Sequence, residues 1–184
     1  MMFTAPQARF TPDDVLRLED EGLYEFVGGT LVKKEVGPLA ARTAALIAAR
    51  LVNFIEGSKS GDRVYAELSF RCFAHDPDLT RRADVALIVA SRLAGVQEEG
   101  HIPIAPDLAI EIVSSETAAR LRTKIRLYLK HGGKAVWAVY PDERVIDLHS
   151  ANGQITKLEQ DQVLEDNDAL PGFSTPVNAI FKGL

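Results

Sequence analysis

Two carboxylates stand inside runs that are otherwise apolar. Asp84 lies between Ala83 and Val85, with Leu87, Ile88 and Val89 following, and Glu111 lies between Ile110 and Ile112. Burying an isolated carboxylate is costly, so such a group is paired, protonated or bound to a metal. Carried on adjacent strands, the two could converge on one divalent cation. Hard oxygen ligands suit Mg²⁺ or Mn²⁺, which keep several waters and take phosphate oxygens of a substrate. The plainer alternative is a pair of structural salt bridges. Lys124 is the third candidate. It falls three residues after Leu121 and four before Tyr128, which places it on the edge of a helical apolar stripe. An amine there could stabilise phosphate charge or orient a water, or it could simply lay its stem over apolar surface. Glu25 shares a strand face with Leu23 and Val27, and from the residues alone it reads as an exposed hairpin carboxylate.

The elements that must position these groups follow from periodicity. Residues Ala83–Ala90, Asp107–Val113 and Ala135–Tyr140 form short, nearly continuous apolar runs, as expected of central strands covered on both faces. The spacing predicts a helix over Thr117–His131, with Leu121, Ile125, Tyr128 and Leu129 on one stripe and Gly132-Gly133 as its stop. Ser114-Ser115-Glu116 reads as the cap of that helix. Earlier, Thr11-Pro12-Asp13-Asp14 starts a helix that ends by Gly22, with Asp14 reaching back to Thr11. Leu23–Val27 and Thr30–Val36 flank Gly28-Gly29 as a hairpin. An alanine-rich amphipathic helix is expected over Pro38–Glu56, stopped at Gly57, and Val64–Phe73 alternates as a single strand. Arg144–His149 and Gln154–Leu158 flank Asn152-Gly153 as another hairpin, and the tail is turn-rich. The order implies one mixed α/β domain spanning residues 1–184.

Composition narrows the classes. The chain has 184 residues with 46% apolar and 26% charged, which excludes a wholly disordered chain or a fibre. No run approaches the ~18 apolar residues of a membrane span. The first residues carry no apolar leader. Cys72 stands alone, and together these features point to a reducing cytoplasm. No phosphate-binding glycine loop, dinucleotide fingerprint or zinc spacing occurs. His75, Asp76 and Asp78 read as a polar loop. The net charge of −5 argues against a broad nucleic-acid coat. It is unevenly spread, however. From Thr117 to Lys134 the chain carries Arg120, Arg122, Lys124, Arg126, Lys130 and Lys134 and no acid, so that window is +6 and the remainder −11. Arg120, Arg122, Arg126 and Lys130 could contact phosphates, or form a solvated face favoured by the helix dipole.

The order of Asp84, then Glu111 on the next apolar strand, then Lys124 on the following helix resembles the PD-(D/E)xK nuclease superfamily. More closely, the chain resembles the bacterial Uma-two family of restriction endonucleases. The matching pieces run from about Thr11 to Phe181. They are Tyr24-Glu25-Phe26-Val27-Gly28-Gly29, Arg82-Ala83-Asp84-Val85-Ala86, Pro106-Asp107-Leu108-Ala109-Ile110-Glu111-Ile112-Val113-Ser114, Lys124 with Tyr128, Val136-Trp137-Ala138-Val139 and Leu170-Pro171-Gly172-Phe173. The resemblance implies a restriction-endonuclease-like fold, a central mixed sheet flanked by helices. It implies Mg²⁺- or Mn²⁺-dependent hydrolysis of DNA, with Asp84 and Glu111 on the metal and Glu25 as an auxiliary acid. Lys124 would be the superfamily lysine, moved to the helix because Val113 occupies its usual place. It also implies a homodimer. Pro106-Asp107 imitates the motif but lies too close to Glu111. This chain departs from the pattern at Ala83, Gly28, Arg42 and Tyr140. Two other classes fit these residues: a catalytically silent nucleic-acid or protein interaction module, and a metal-dependent hydrolase of small phosphoesters.

Overall fold

The computed structural model describes residues 10–97, 99–114 and 116–182. The early helix is a single turn, α1 (Asp14–Arg17), continued by a 3₁₀ turn over Glu19–Glu21. Asp14 reaches back as expected, its Oδ2 accepting from the Thr11 amide at 2.7 Å. Strands β1 (Tyr24–Val27) and β2 (Thr30–Lys33) form the expected hairpin. Gly28 and Gly29 both take positive φ, 56° and 80°, as a two-residue turn matched to strand twist requires.

Helix α2 (Pro38–Ser58) runs through Gly57 and ends at Lys59, whose φ of 54° makes the left-handed cap. The glycine expected to stop it is therefore helical. Among the described residues α2 alone is long and apolar enough, by length and composition, to cross a membrane. Here it lies along the sheet, burying Ala40, Thr43, Ile47 and Leu51.

The expected single strand over Val64–Phe73 is broken. Strand β3 (Arg63–Ala66) ends where Glu67 adopts φ 53°, and β4 (Ser69–Phe70) turns away to pair with β5 (Arg81–Arg82). Simple alternation cannot reveal a left-handed residue in mid-run. Strand β6 (Val85–Ile88) leads through a 3₁₀ segment, Ala90–Gly95, to β7 (Leu108–Ile112). Helix α3 (Ala118–Lys130) is capped by Thr117, whose side chain accepts from the Arg120 amide. The cap is thus not Ser114-Ser115-Glu116, and Ser115 lies outside the described residues. Strands β8 (Ala135–Tyr140), β9 (Val145–Ser150) and β10 (Ile155–Leu158) follow as expected.

The six long strands form one mixed sheet in the order β10-β9-β8-β7-β6-β3. Only β7 and β8 are parallel, because α3 carries the chain back across the sheet between them. One face packs Val85, Leu87, Leu108, Ile110 and Trp137 against α2. The other packs Ala86, Ala109 and Ala138 against Leu121, Ile125 and Tyr128 of α3. The central runs are apolar on both sides because helices cover both sides.

The turn-rich tail contains more structure than its composition suggested. Strands β11 (Val163–Glu165) and β12 (Ser174–Pro176) pair, and α4 (Val177–Ile180) closes onto the α2 side. The tail is anchored by Asp166. Its carboxylate accepts from the Trp137 indole at 2.8 Å and from the Ala169 amide at 3.0 Å. The Asp166→Ala change leaves a buried indole N–H without an acceptor and is expected to cost about 1–3 kcal/mol. Urea unfolding checks this, and a midpoint equal to wild type would show that the anchor contributes nothing.

Candidate active site

The antiparallel register of β6 and β7 pairs Val85 with Ile110. One step further along that register sets Asp84 opposite Glu111. The Asp84 amide continues the ladder to the Ile110 carbonyl at 3.1 Å. Residue alternation then turns both side chains to the α3 face. Asp84 is 5% exposed, Glu111 2%, Lys124 5% and Glu25 5%, so the structure brings all four expected residues into one buried cluster. They line a cleft of about 340 Å³ between the hairpin, the strand ends and the first turns of α3.

The oxygens of the two opposed carboxylates are used unequally. Asp84 Oδ2 accepts from the Ile112 amide at 2.5 Å, and its Oδ1 lies 2.8 Å from Lys34 Nζ. Glu111 Oε2 accepts from Lys124 Nζ at 2.9 Å, whereas its buried Oε1 has no hydrogen-bond partner. Lys124 also lies 3.3 Å from Glu116 and 3.7 Å from Glu25. It is no snorkelling lysine, since its ammonium is at the inner end of the helix face.

Glu25 differs from the exposed hairpin carboxylate that its residues suggested. Strand β5 lies alongside β1 and covers it. Glu25 Oε1 accepts from the Arg82 amide at 2.9 Å and its Oε2 from Arg81 Nη1 at 2.9 Å. Its cover arrives from more than fifty residues away, which strand alternation does not reveal.

Lys34 is the residue that the sequence reading missed. It follows β2, and its ammonium is held by Asp84 Oδ1, by Glu67 Oε2 at 2.6 Å and by the Arg82 carbonyl at 3.4 Å. A signal existed: alternation puts Lys34 on the same face as Val32 and Val36. The left-handed backbone of Glu67 turns its carboxylate toward the cluster, and its own amide donates to the Asp84 carbonyl at 3.2 Å.

Burial and charge set the protonation states. Complete burial pushes the Glu111 carboxyl up to about 7; Lys124 opposes the shift and Asp84 adds to it. Burial works against both ammonium groups, yet neighbouring carboxylates outweigh it. Lys124 is raised by Glu111, Glu25 and Glu116, and Lys34 by Asp84, Glu111 and Glu67. Tyr128 packs beneath the cluster with a buried hydroxyl that lacks a partner, and burial pushes its pKa well above the usual phenol value.

The remaining candidates separate from this centre. Asp107 immediately precedes β7, about 13 Å of extended chain away from Glu111. It accepts from the Val89 amide at 3.0 Å and pairs with Arg92 at 2.9 Å, a structural role. Of the basic residues on α3, Arg120 lines the cleft, while Arg122, Arg126 and Lys130 are exposed elsewhere along the helix. His75 stacks on His131, with ring nitrogens 2.9 Å apart, away from the carboxylates.

Among the described residues no group of three or more His, Cys, Asp or Glu side chains is arranged to hold a metal. The donor set at the cleft is a pair of carboxylates, one with an unpartnered buried oxygen. That suits Mg²⁺, which takes one or two carboxylates and otherwise keeps waters and phosphate oxygens.

Residues 12–178 match the Uma2 family, described as "Putative restriction endonuclease". The chain belongs to the Uma2 family. Its fold is that of a solved structure described as a "putative nuclease belonging to DUF820" from Anabaena variabilis. That likeness has a TM-score of 0.77 at 22% identity and covers 94% of this chain and 97% of that one. A DrdV–DNA complex aligns only slightly, with a TM-score of 0.36 at 12% identity over 78% of this chain and 14% of that one. No curated protein matches.

The raised Glu111 has a defined sign in this Uma2 protein. Its proton is held more tightly folded than unfolded. The stability it contributes is complete below the ordinary value of 4.5 and is lost as pH rises through about 7. A ¹³C carboxyl titration of the metal-free protein should place the Glu111 midpoint near 7. Asp84→Asn, which removes the adjacent negative charge, should bring it down. A wild-type midpoint in the ordinary carboxylate range would contradict this account.

Proposed function

We propose that this Uma2 protein is a Mg²⁺- or Mn²⁺-dependent endonuclease that hydrolyses DNA phosphodiester bonds, and that it works as a homodimer in the cytoplasm. The observation that carries the reading is the opposition of Asp84 and Glu111 beside the Lys124 ammonium in one cleft. Asp84 and Glu111 would hold the cation. When bound, it supplies an activated water and neutralises charge on the phosphate.

The chain's own groups do the rest. Lys124, fixed on Glu111, presents positive charge where negative charge builds on the phosphate oxygens. Glu25 holds Arg81 and, with Glu116, keeps the Lys124 ammonium at the cleft wall. The water gives up a proton to solvent as its oxygen bonds to phosphorus; the bond to the leaving deoxyribose oxygen breaks, and that oxygen takes up a proton from solvent. Arg120 meets a phosphate at the cleft, and Arg122, Arg126 and Lys130 extend the contact along α3.

Nicking of supercoiled plasmid with Mg²⁺ or Mn²⁺ tests this reading. Asp84→Ala and Glu111→Ala should abolish cleavage, and Lys124→Met should slow it by about 100-fold or more. Unchanged cleavage in both alanine variants would sink the assignment. Activity on a generic phosphodiester but on no DNA would indicate a small-phosphoester hydrolase instead.

A second reading, a silent interaction module, is favoured by one observation: Asp84 and Glu111 each already hold a lysine. In that case neither cation binding nor cleavage would be measured. DNA contact has its own test. The salt dependence of DNA binding should weaken by about one phosphate contact in Arg120→Ala. An unaltered slope would remove Arg120 from the interface.

A further inference from the structure

We infer that Lys34 is a positioning residue of this site, an internal cation that holds Asp84 Oδ1 until a divalent metal takes that oxygen, and that Glu67 keeps Lys34 afterwards. The inference rests on the metal-dependent reading above and concerns residues that reading does not use.

The argument starts from the unequal carboxylates. Glu111 offers Oε1, which is buried and has no partner, so a cation can reach it without disturbing Lys124 on Oε2. Asp84 offers no such oxygen. Its Oδ2 is committed to the Ile112 amide at 2.5 Å, a backbone group that β7 cannot release without breaking strand geometry. Only Oδ1 points into the cluster, and Lys34 sits on it at 2.8 Å. A cation taken up on Asp84 Oδ1 would meet the Lys34 ammonium on the same oxygen, so repulsion between the two positive charges would drive Lys34 off, while Lys124 would stay on Glu111 Oε2.

Glu67 makes that displacement inexpensive. Lys34 is already 2.6 Å from Glu67 Oε2 and 3.4 Å from the Arg82 carbonyl. It gives up one acceptor and keeps two, so the ammonium is never stranded without a counter-charge. Glu67 is also the residue whose φ of 53° interrupts what would otherwise be a regular strand. A non-glycine residue held in that region is a reason to look for a role. Here the backbone turn is what aims the carboxylate at Lys34.

Lys34 and Lys124 each place one positive charge on one of the two carboxylates. A purely long-range effect of charge would act on metal affinity equally through both. Displacement acts through Lys34 alone. Mn²⁺ binding, followed by loss of the free-ion electron paramagnetic resonance signal, separates the two.

Lys34→Met should bind Mn²⁺ about tenfold or more tightly than wild type, and Lys124→Met should differ from wild type by less than about threefold. Lys34→Arg, which restores a cation on Asp84, should return affinity to the wild-type range. Lys34→Gln, one atom shorter and uncharged but still an N–H donor, should tighten binding in the same direction and serves if Lys34→Met does not fold. Equal tightening in Lys34→Met and Lys124→Met, or no tightening in Lys34→Met and Lys34→Gln, would overturn the inference while leaving the metal site standing. Absence of Mn²⁺ binding from wild type and all variants would sink the metal reading itself, and this inference with it.

Discussion

The constraint on which the rest of this structure depends is the burial of two opposed carboxylates at the end of a sheet. Asp84 and Glu111 face each other across neighbouring strands, and neither can remain charged there unaided. Positive charge and N–H groups reach them from three elements. The hairpin delivers Lys34, α3 delivers Lys124, and the β7 backbone delivers the Ile112 amide. Glu25 and Glu67 then enter as counter-charges to the lysines and to Arg81. The result is an alternating array of charges rather than a single ion pair, and it ties the hairpin, the strand break at Glu67, the sheet end and α3 to one point.

That dependence explains which parts were legible in the sequence. Asp84 and Glu111 were visible because a charge inside an apolar run contradicts its surroundings. Lys124 was visible because it falls on the stripe of a strongly periodic helix. The central strands were visible because both their faces are covered. Each of these signals is local. The burial of Glu25 is not local, since β5 and Thr80 arrive from more than fifty residues away to cover it. Nor is the place of Lys34, which depends on a hairpin folding over the sheet end and on Glu67 leaving regular strand geometry. The docking of the tail on Trp137 is likewise settled by tertiary contact, which overrides local propensity.

Helix α3 carries two kinds of basic residue, and the structure separates them. Lys124 faces inward and is bound by carboxylates, so it belongs to the cluster and not to the surface charge. Arg122, Arg126 and Lys130 are exposed. Arg120 stands between the two groups, at the wall of the cleft. The +6 window of the sequence is therefore not one patch. Its inner member neutralises the site, and its outer members lend the helix a basic exterior on an otherwise acidic chain. An attraction for phosphate that is confined to this helix is compatible with a net charge of −5, because screening limits each exposed charge to about 8–10 Å.

The same array sets how far the site can be changed without collapse. Removing a lysine leaves a buried carboxylate without its partner, and removing a carboxylate leaves a buried ammonium, so single changes act on folding and on the site together. Complete burial first, then Asp84 opposite, raise the Glu111 carboxyl, and Lys124 on only one of its oxygens offsets this in part, leaving a deficit of positive charge. An added cation at that oxygen would correct the deficit by favouring the ionised form. A structural salt-bridge network has no need of such a deficit, because it is best served by every buried oxygen having a partner. Glu111 Oε1, buried without a partner beside the cleft, is a feature that a purely structural role leaves unexplained.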